Sequence, residues 1–208
     1  MEQIKTGTTT VGIVCKDGIV LAADKRTTAG GAFVVRKESD KITQIADNMA
    51  VTTAGTVSDI QMFLKLLKAE LKLRSMRNGR SNTVKETVSF AGRIMYDNAR
   101  QYFPSMAHSL LGGYDATGPR LFTIEVDGCV LELKDYFATG SGSPMSFGVL
   151  ENNYKDGLSV KEGEELAYRA VLAAIQRDPA SGNGIDVYTV TKDGVKKTMQ
   201  KKVSNAMI

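Results

Sequence analysis

The chain is 208 residues long, with 42% hydrophobic and 24% charged residues, which argues against disorder and suits one large domain, or at most two small ones, around a buried core. Its apolar runs, such as residues 18–23, fall well short of the roughly 20 residues a bilayer helix needs, and residues 1–7 lack the apolar core of a secretory signal. The net charge is +4, with basic residues scattered except at 71–80 and 196–202 and no interleaved aromatics, so a solvated helix end and a basic tail explain them better than nucleic acid.

From Thr8 the pattern is strand, Lys-Asp-Gly turn and strand, a hairpin whose second arm is residues 19–24. A Gly/Thr-rich loop follows at 25–32, and residues 41–46 and 49–55 read as a second hairpin. After Gly55 the period changes. Ile60, Phe63, Leu64, Leu67 and Leu71 share one face of an amphipathic helix, with Asp59 suiting the dipole of its first turn. Residues 78–83 break it. A second helix starts near Asn82 or Thr83, carries the stripe Val84, Val88, Ala91 and Met95, and ends before Pro104.

Strands resume at 108–115, 120–127 and 129–138, the latter two joined by a turn at Asp127 and Gly128. A Gly/Ser loop at 139–144 leads into a short helix. A further helix has Ser159 as N-cap, Glu162 in the capping-box position and an apolar face of Ala167, Ala170, Val171 and Ala174. Paired strands at 185–193 and 195–200 close the chain. Hairpin-dominated strands interrupted by two pairs of helices pack most economically as an α+β fold, a four-layer αββα sandwich of two antiparallel sheets with helices on each outer face.

Cys15 and Cys129 sit in strand-like runs without metal-ligand spacing, as expected of small buried hydrophobes in a reducing cytosol. His108 is the single histidine and reads as a core or rim residue, so no histidine base is available for a serine-type triad. The run Gly7-Thr8-Thr9-Thr10 offers another route. A threonine at a free amino terminus can use its own α-amine as base, because that amine has a pKa of about 7.7–8. Thr8 qualifies only if residues 1–7 are removed, and Gly7, lacking a side chain, lets the Thr8 hydroxyl approach the carbonyl before it.

The segments GTTTVGI (7–13), VLAADKR (20–26), DKI (40–42), TTAG (52–55), GSGSP (140–144) and RDPASGNGIDV (177–187) together resemble, over essentially the whole chain, the proteasome β-subunit family of archaeal type. These are N-terminal-nucleophile hydrolases with the αββα fold. The resemblance implies a propeptide at 1–7, cleaved between Gly7 and Thr8, and one catalytic domain at 8–208. It further implies Thr8 as nucleophile, Asp24 paired with Lys41 beside it, and Gly55 as the backbone donor to the oxyanion. Ser141, Asp178 and Ser181 would surround the freed amine. Thr28, Gly55 and Val57 would bind an extended peptide by main-chain hydrogen bonds, and Thr27, Thr53 and Val57 would line the pocket for the residue before the cut.

There are two departures from the family pattern. The loop between Asp24 and Lys41 carries one extra residue near Gly30–Gly31, and in an ungapped register Asp40 would stand where the lysine belongs; we take the insertion and assign Lys41. Thr53 stands where members preferring large apolar residues usually carry a bulky hydrophobe. The implied function is a cytoplasmic threonine endopeptidase that degrades unfolded polypeptides through an acyl-enzyme and needs no metal or organic cofactor. Its implied partners are proteasome α subunits, further β subunits in stacked heptameric rings and an ATP-dependent unfoldase, with no nucleic acid or membrane. The alternatives are a non-catalytic ring subunit, a small-molecule amidase of the same fold, or a basic nucleic-acid-binding domain.

Overall fold

In the computed structural model, which describes residues 7–30, 33–102 and 106–203, the β-branched residues at the start of the chain fold back as a hairpin. Strands β1 (Thr10–Cys15) and β2 (Gly18–Asp24) pair antiparallel from Thr10 opposite Ala23 to Cys15 opposite Gly18. The first strand begins at Thr10 rather than Thr8. The Asp24 N–H still donates to the Thr9 carbonyl, but the Thr9 N–H turns to the Asp24 carboxylate, so the ladder ends there.

Thr27–Ala29, within the stretch 25–32 expected to be a loop, instead form β3 of a two-stranded ribbon with β4 (Phe33–Arg36). Gly31, next to the expected insertion, lies outside the described residues, as do residues 1–6 of the expected propeptide and Pro104. The second hairpin forms as β5 (Ile42–Ala46) and β6 (Met49–Gly55).

Helix α1 (Val57–Asn78) buries Phe63, Leu67 and Leu71 and closes on Gly79, whose φ of 63° suits a left-handed C-cap. Helix α2 (Val84–Ala99) starts from Thr83, which exchanges hydrogen bonds with Glu86 in a capping box. The basic residues at 71–80 thus sit at a helix end, as expected. Strands β7 (Ala107–Asp115), β8 (Gly118–Ile124) and β9 (Val130–Leu133) complete a sheet of order β5-β6-β7-β8-β9.

The run at 129–138 is not one strand. It breaks at Lys134–Asp135, and β10 (Tyr136–Thr139) crosses to the other sheet, pairing with β1 from Thr10 opposite Thr139 to Ile13 opposite Tyr136. Helix α3 (Ser143–Asn153) follows, then α4 (Val160–Ile175), whose Ser159–Glu162 capping box is present. Strands β11 (Gly184–Thr191) and β12 (Gly194–Lys202) finish the second sheet, of order β10-β1-β2-β11-β12. Residues 196–202 are therefore an edge strand and not a tail, and their lysines discourage edge-to-edge pairing with another chain.

Three buried clusters correspond to the interfaces between four layers. Ile19, Leu21, Leu110 and Leu121 lie between the sheets. Phe63, Leu67, Val88 and Met95 fill the space between α1, α2 and one sheet, and Ala167, Ala170, Val171 and Leu150 that between α3, α4 and the other. Each fully buried Leu or Phe contributes about 1.5–3 kcal/mol. The αββα sandwich is the fold expected from patterning. Cys15 is buried, whereas Cys129 is exposed in the turn before β9, contrary to expectation. No helix among the described residues is long and apolar enough to cross a membrane.

Candidate active site

Thr8 lies where β1, β2 and the loop before β11 converge, and only 5% of it is exposed. Gly7, whose carbonyl forms the peptide bond ahead of it, is held by three hydrogen bonds. Gly7 N–H donates to Thr28 Oγ1 at 3.1 Å, Thr8 Oγ1 donates to the Gly7 carbonyl at 2.6 Å, and Lys41 Nζ donates to the same oxygen at 3.3 Å. Gly7 itself is packed so closely that a Cβ there would stand 2.0 Å from the Cβ of Ala180.

Asp24 ends β2 fully buried. Its Oδ1 accepts from Lys41 Nζ at 2.7 Å and Thr9 N–H at 2.9 Å, and its Oδ2 from the N–H groups of Arg26 at 2.9 Å and Gly182 at 3.0 Å. Four donors replace the water the buried carboxylate lost, so both of its oxygens keep hydrogen-bond partners. Lys41 enters just before β5, with its carbonyl accepting from Thr53 N–H on β6 at 3.0 Å. Burial pushes the Lys41 ammonium below its ordinary pKa, while the charge and hydrogen bond of Asp24 pull in the opposite direction. Lys41 is thus the residue that reaches both Asp24 and the Gly7 carbonyl, whereas Asp40 pairs with Lys25.

Ser141, Asp178 and Ser181 meet on the amine side of Thr8. Thr8 N–H donates to Ser141 Oγ at 3.3 Å, and both serine hydroxyls donate to Asp178 Oδ2, at 2.6 and 2.7 Å. Gly140 lets this loop close in, since a Cβ there would come within 2.0 Å of the Thr8 carbonyl oxygen. Gly55, Thr27, Thr28, Thr53 and Val57 line, with Thr8 and Lys41, a cleft of about 530 Å³. Gly55 takes a φ of 136°, where a side chain would collide with the Met106 carbonyl. The expected site residues are thus all brought around Thr8.

His108 is not among them. It stands on β7 with Nε2 3.5 Å from Glu125 Oε2, half exposed at the rim of a separate cleft beyond Gly55. Among the described residues no three His, Cys, Asp or Glu side chains converge as metal ligands would.

Sequence reasoning missed four contributors. Thr9 bonds Ser181 Oγ at 2.7 Å through its hydroxyl. Arg26, buried, ties the loop before β11 by bonds to the Pro179 carbonyl at 2.6 Å and Asn183 Oδ1 at 2.9 Å. Asn183, at a φ of 64°, and Ala180 complete that loop. Adjacency to Thr8 and Asp24 was the available signal for Thr9 and Arg26; Ala180 acts by contact alone and leaves none.

A protein-family model described as "Proteasome subunit" matches residues 4–190. The chain is 48% identical over 191 residues to "Proteasome subunit beta" of Methanohalophilus mahii, covering 92% of this chain and 90% of that one. It is 43% identical over 206 residues to the protein of the same name from Archaeoglobus profundus, covering 99% and 94%. With "Proteasome subunit beta" of Archaeoglobus fulgidus it shares 45% identity over 192 residues, covering 92% of this chain and 89% of that one.

Proposed function

The chain belongs to the proteasome subunit family as a β subunit, a class of threonine-type endopeptidases that assembles with α and β subunits into a core particle, and on that premise we propose that Thr8 is its catalytic nucleophile. One observation carries the reading. The Thr8 hydroxyl is 2.6 Å from the carbonyl oxygen of the bond that masks its own amine, and an ammonium anchored on Asp24 is 3.3 Å from that same oxygen.

In the first reaction Thr8 Oγ1 attacks the Gly7 carbonyl carbon, with Lys41 stabilising the charge that develops on the oxygen. The carbon–nitrogen bond breaks, the nitrogen takes up the hydroxyl proton, and an ester joins Gly7 to Thr8. Water then hydrolyses the ester and releases residues 1–7. In the second reaction the freed amine, held by Ser141 and the Asp178 cluster, takes the proton from Oγ1 as it attacks a substrate carbonyl. The Gly55 N–H receives the oxyanion, the amine returns the proton to the leaving nitrogen, and water releases the acyl group. The substrate lies extended along Thr28, Gly55 and Val57, with the side chain before the cut directed toward Thr27, Thr53 and Val57.

Stacked heptameric β rings between α rings, in the cytoplasm and fed by an ATP-dependent unfoldase, would confine this activity to unfolded polypeptides. The test is the intact mass and N-terminal residue of the chain co-expressed with an α-type partner, beside Thr8→Ala. Loss of seven residues by the wild type alone supports the reading; two intact chains in an assembled particle leave a structural ring subunit.

A further inference from the structure

The dipeptide Asp-Lys occurs at 24–25 and again at 40–41, and the two copies meet crosswise. Asp24 takes Lys41 at 2.7 Å, beside the Gly7 carbonyl. Lys25 takes Asp40 at 2.8 Å, and the same ammonium reaches Asp186 Oδ2 on β11, also at 2.8 Å. Lys197 on β12 meets that oxygen at 3.0 Å. Lys25 and Asp186 are buried, and Asp186 Oδ1 has no hydrogen-bond partner among the described residues.

None of these four groups enters the chemistry proposed for Thr8. Nor is stability by itself a sufficient reason for them, because a well-packed apolar pair often does as well as a buried ion pair. Their placement supplies another reason. Lys25 follows Asp24, Asp40 precedes Lys41, and backbone bonds from Ser39 N–H to the Lys25 carbonyl and from Thr53 N–H to the Lys41 carbonyl complete the frame. We propose that Lys25 is a positioning residue: by holding Asp40 against β11 it fixes where the chain delivers Lys41, and so keeps Lys41 Nζ between Asp24 and the Gly7 carbonyl.

This inference rests on Thr8 as nucleophile, and its test separates the two. Asp40→Asn and Lys25→Met, singly and together, are compared with wild type and Thr8→Ala in the assembled particle, reading propeptide loss by mass, kcat, and the acid limb of the pH–rate profile. The charged groups around the Thr8 amine are Asp24 at the end of β2, Arg26 just after it, Lys41 before β5, and Asp178 after α4, with Lys25, Asp40, Asp186 and Lys197 behind them. Removing the Asp40 charge alone would ease loss of the amine's proton and move the acid limb to lower pH. Loosening Lys41 withdraws a nearby cation and moves it to higher pH.

The expected result for Asp40→Asn is an acid limb at higher pH with propeptide loss and kcat both down by about tenfold or more, short of the roughly hundredfold that a full ångström of misplacement costs. The double variant should be no slower than Lys25→Met, since both remove one pair. An acid limb at lower pH, or an unchanged kcat, overturns the inference. Asp40 is 70% exposed in its side chain, so this variant decides the matter even if Lys25→Met does not assemble. If Thr8→Ala cleaves peptides like wild type, the nucleophile reading falls and this inference with it. If Thr8→Ala is inert while Asp40→Asn behaves as wild type, only the inference falls.

Discussion

Gly7 and Ala180 touch so closely that no side chain fits between them: a Cβ on Gly7 would lie 2.0 Å from the Ala180 Cβ and 2.7 Å from the Ala180 carbonyl oxygen. Since the second contact is with backbone, it cannot be relieved by turning a side chain. Gly7→Ala should therefore push the Gly7 carbonyl off Thr8 Oγ1 and Lys41. We expect self-cleavage slowed by at least about a hundredfold, as for a misplaced reacting group. The seven-residue mass difference on intact-mass analysis checks it; processing at the wild-type rate would remove the steric argument.

Asp24 and Lys41 are partners with unequal dependence on each other. Lys41→Met leaves Asp24 with three backbone donors, whereas Asp24→Ala leaves a buried ammonium whose remaining hydrogen-bond partner among the described residues is the Gly7 carbonyl at 3.3 Å. The expected losses are about 1.5–3 kcal/mol for Lys41→Met and about 3–5 kcal/mol for Asp24→Ala. Urea unfolding of the unassembled subunit measures both, and equal losses would mean that the backbone donors do not hold the carboxylate. Both variants should remain unprocessed.

Much of this arrangement was legible in the sequence because its elements repeat with clear periods. The stripe through Phe63, Leu67 and Leu71 and the caps around α4 are local signals, and they held. The break at Lys134–Asp135 was not legible, since residues 129–138 read as one strand and only tertiary packing sends its two halves to different sheets. At the site, the grouping of Asp24 with Lys41 came from family resemblance. Thr9 and Arg26 were missed because the partners their side chains reach, Ser181 Oγ, the Pro179 carbonyl and Asn183 Oδ1, are distant in sequence, and Ala180 because it acts by contact alone.

Acid should loosen the start of α2. Glu86 is pulled down from 4.5 to about 2 by the hydrogen bonds it accepts from Arg80 and from Thr83. The folded state thus binds fewer protons here than the unfolded one. The contribution is full above the unfolded value and is lost as pH falls from about 4.5 toward 2. Because the pair is solvent-exposed the effect is small, but Glu86→Gln should flatten the stability–pH curve in that window alone. An unchanged slope between pH 5 and about 2 would assign acid loss to other carboxylates.

The two cysteines should differ in reactivity. Burial, reinforced by the charges of Asp17, Glu162 and Glu164, pushes the Cys15 thiol up to about 12, and its sulfur packs against Gly163. Cys129 is exposed. Alkylation of the native chain at neutral pH should add one label, at Cys129, with Cys15 labelled only after unfolding. Peptide mapping reads this directly, and a labelled Cys15 in folded protein would mean that α4 opens from β1.

Thr53 sets how deep the cleft beside Thr8 can be. Its side chain is short and almost fully buried, and the wall around it combines the apolar Val57, Ile60 and Leu64 with the hydroxyls of Thr27 and Thr28. A short residue leaves room for a large apolar side chain before the cut, so Thr53→Leu should fill that room. Cleavage after Leu, Phe or Tyr should then fall about 10–200-fold relative to cleavage after Ala, the range one or two methylenes can discriminate. Turnover after small residues should persist, because Lys41 and Gly55 keep their places. Product mapping on an unfolded protein reads both classes of cut at once. A uniform loss across all residues would place Thr53 in the support of Lys41, through its 3.0 Å backbone bond, and not in the choice of substrate.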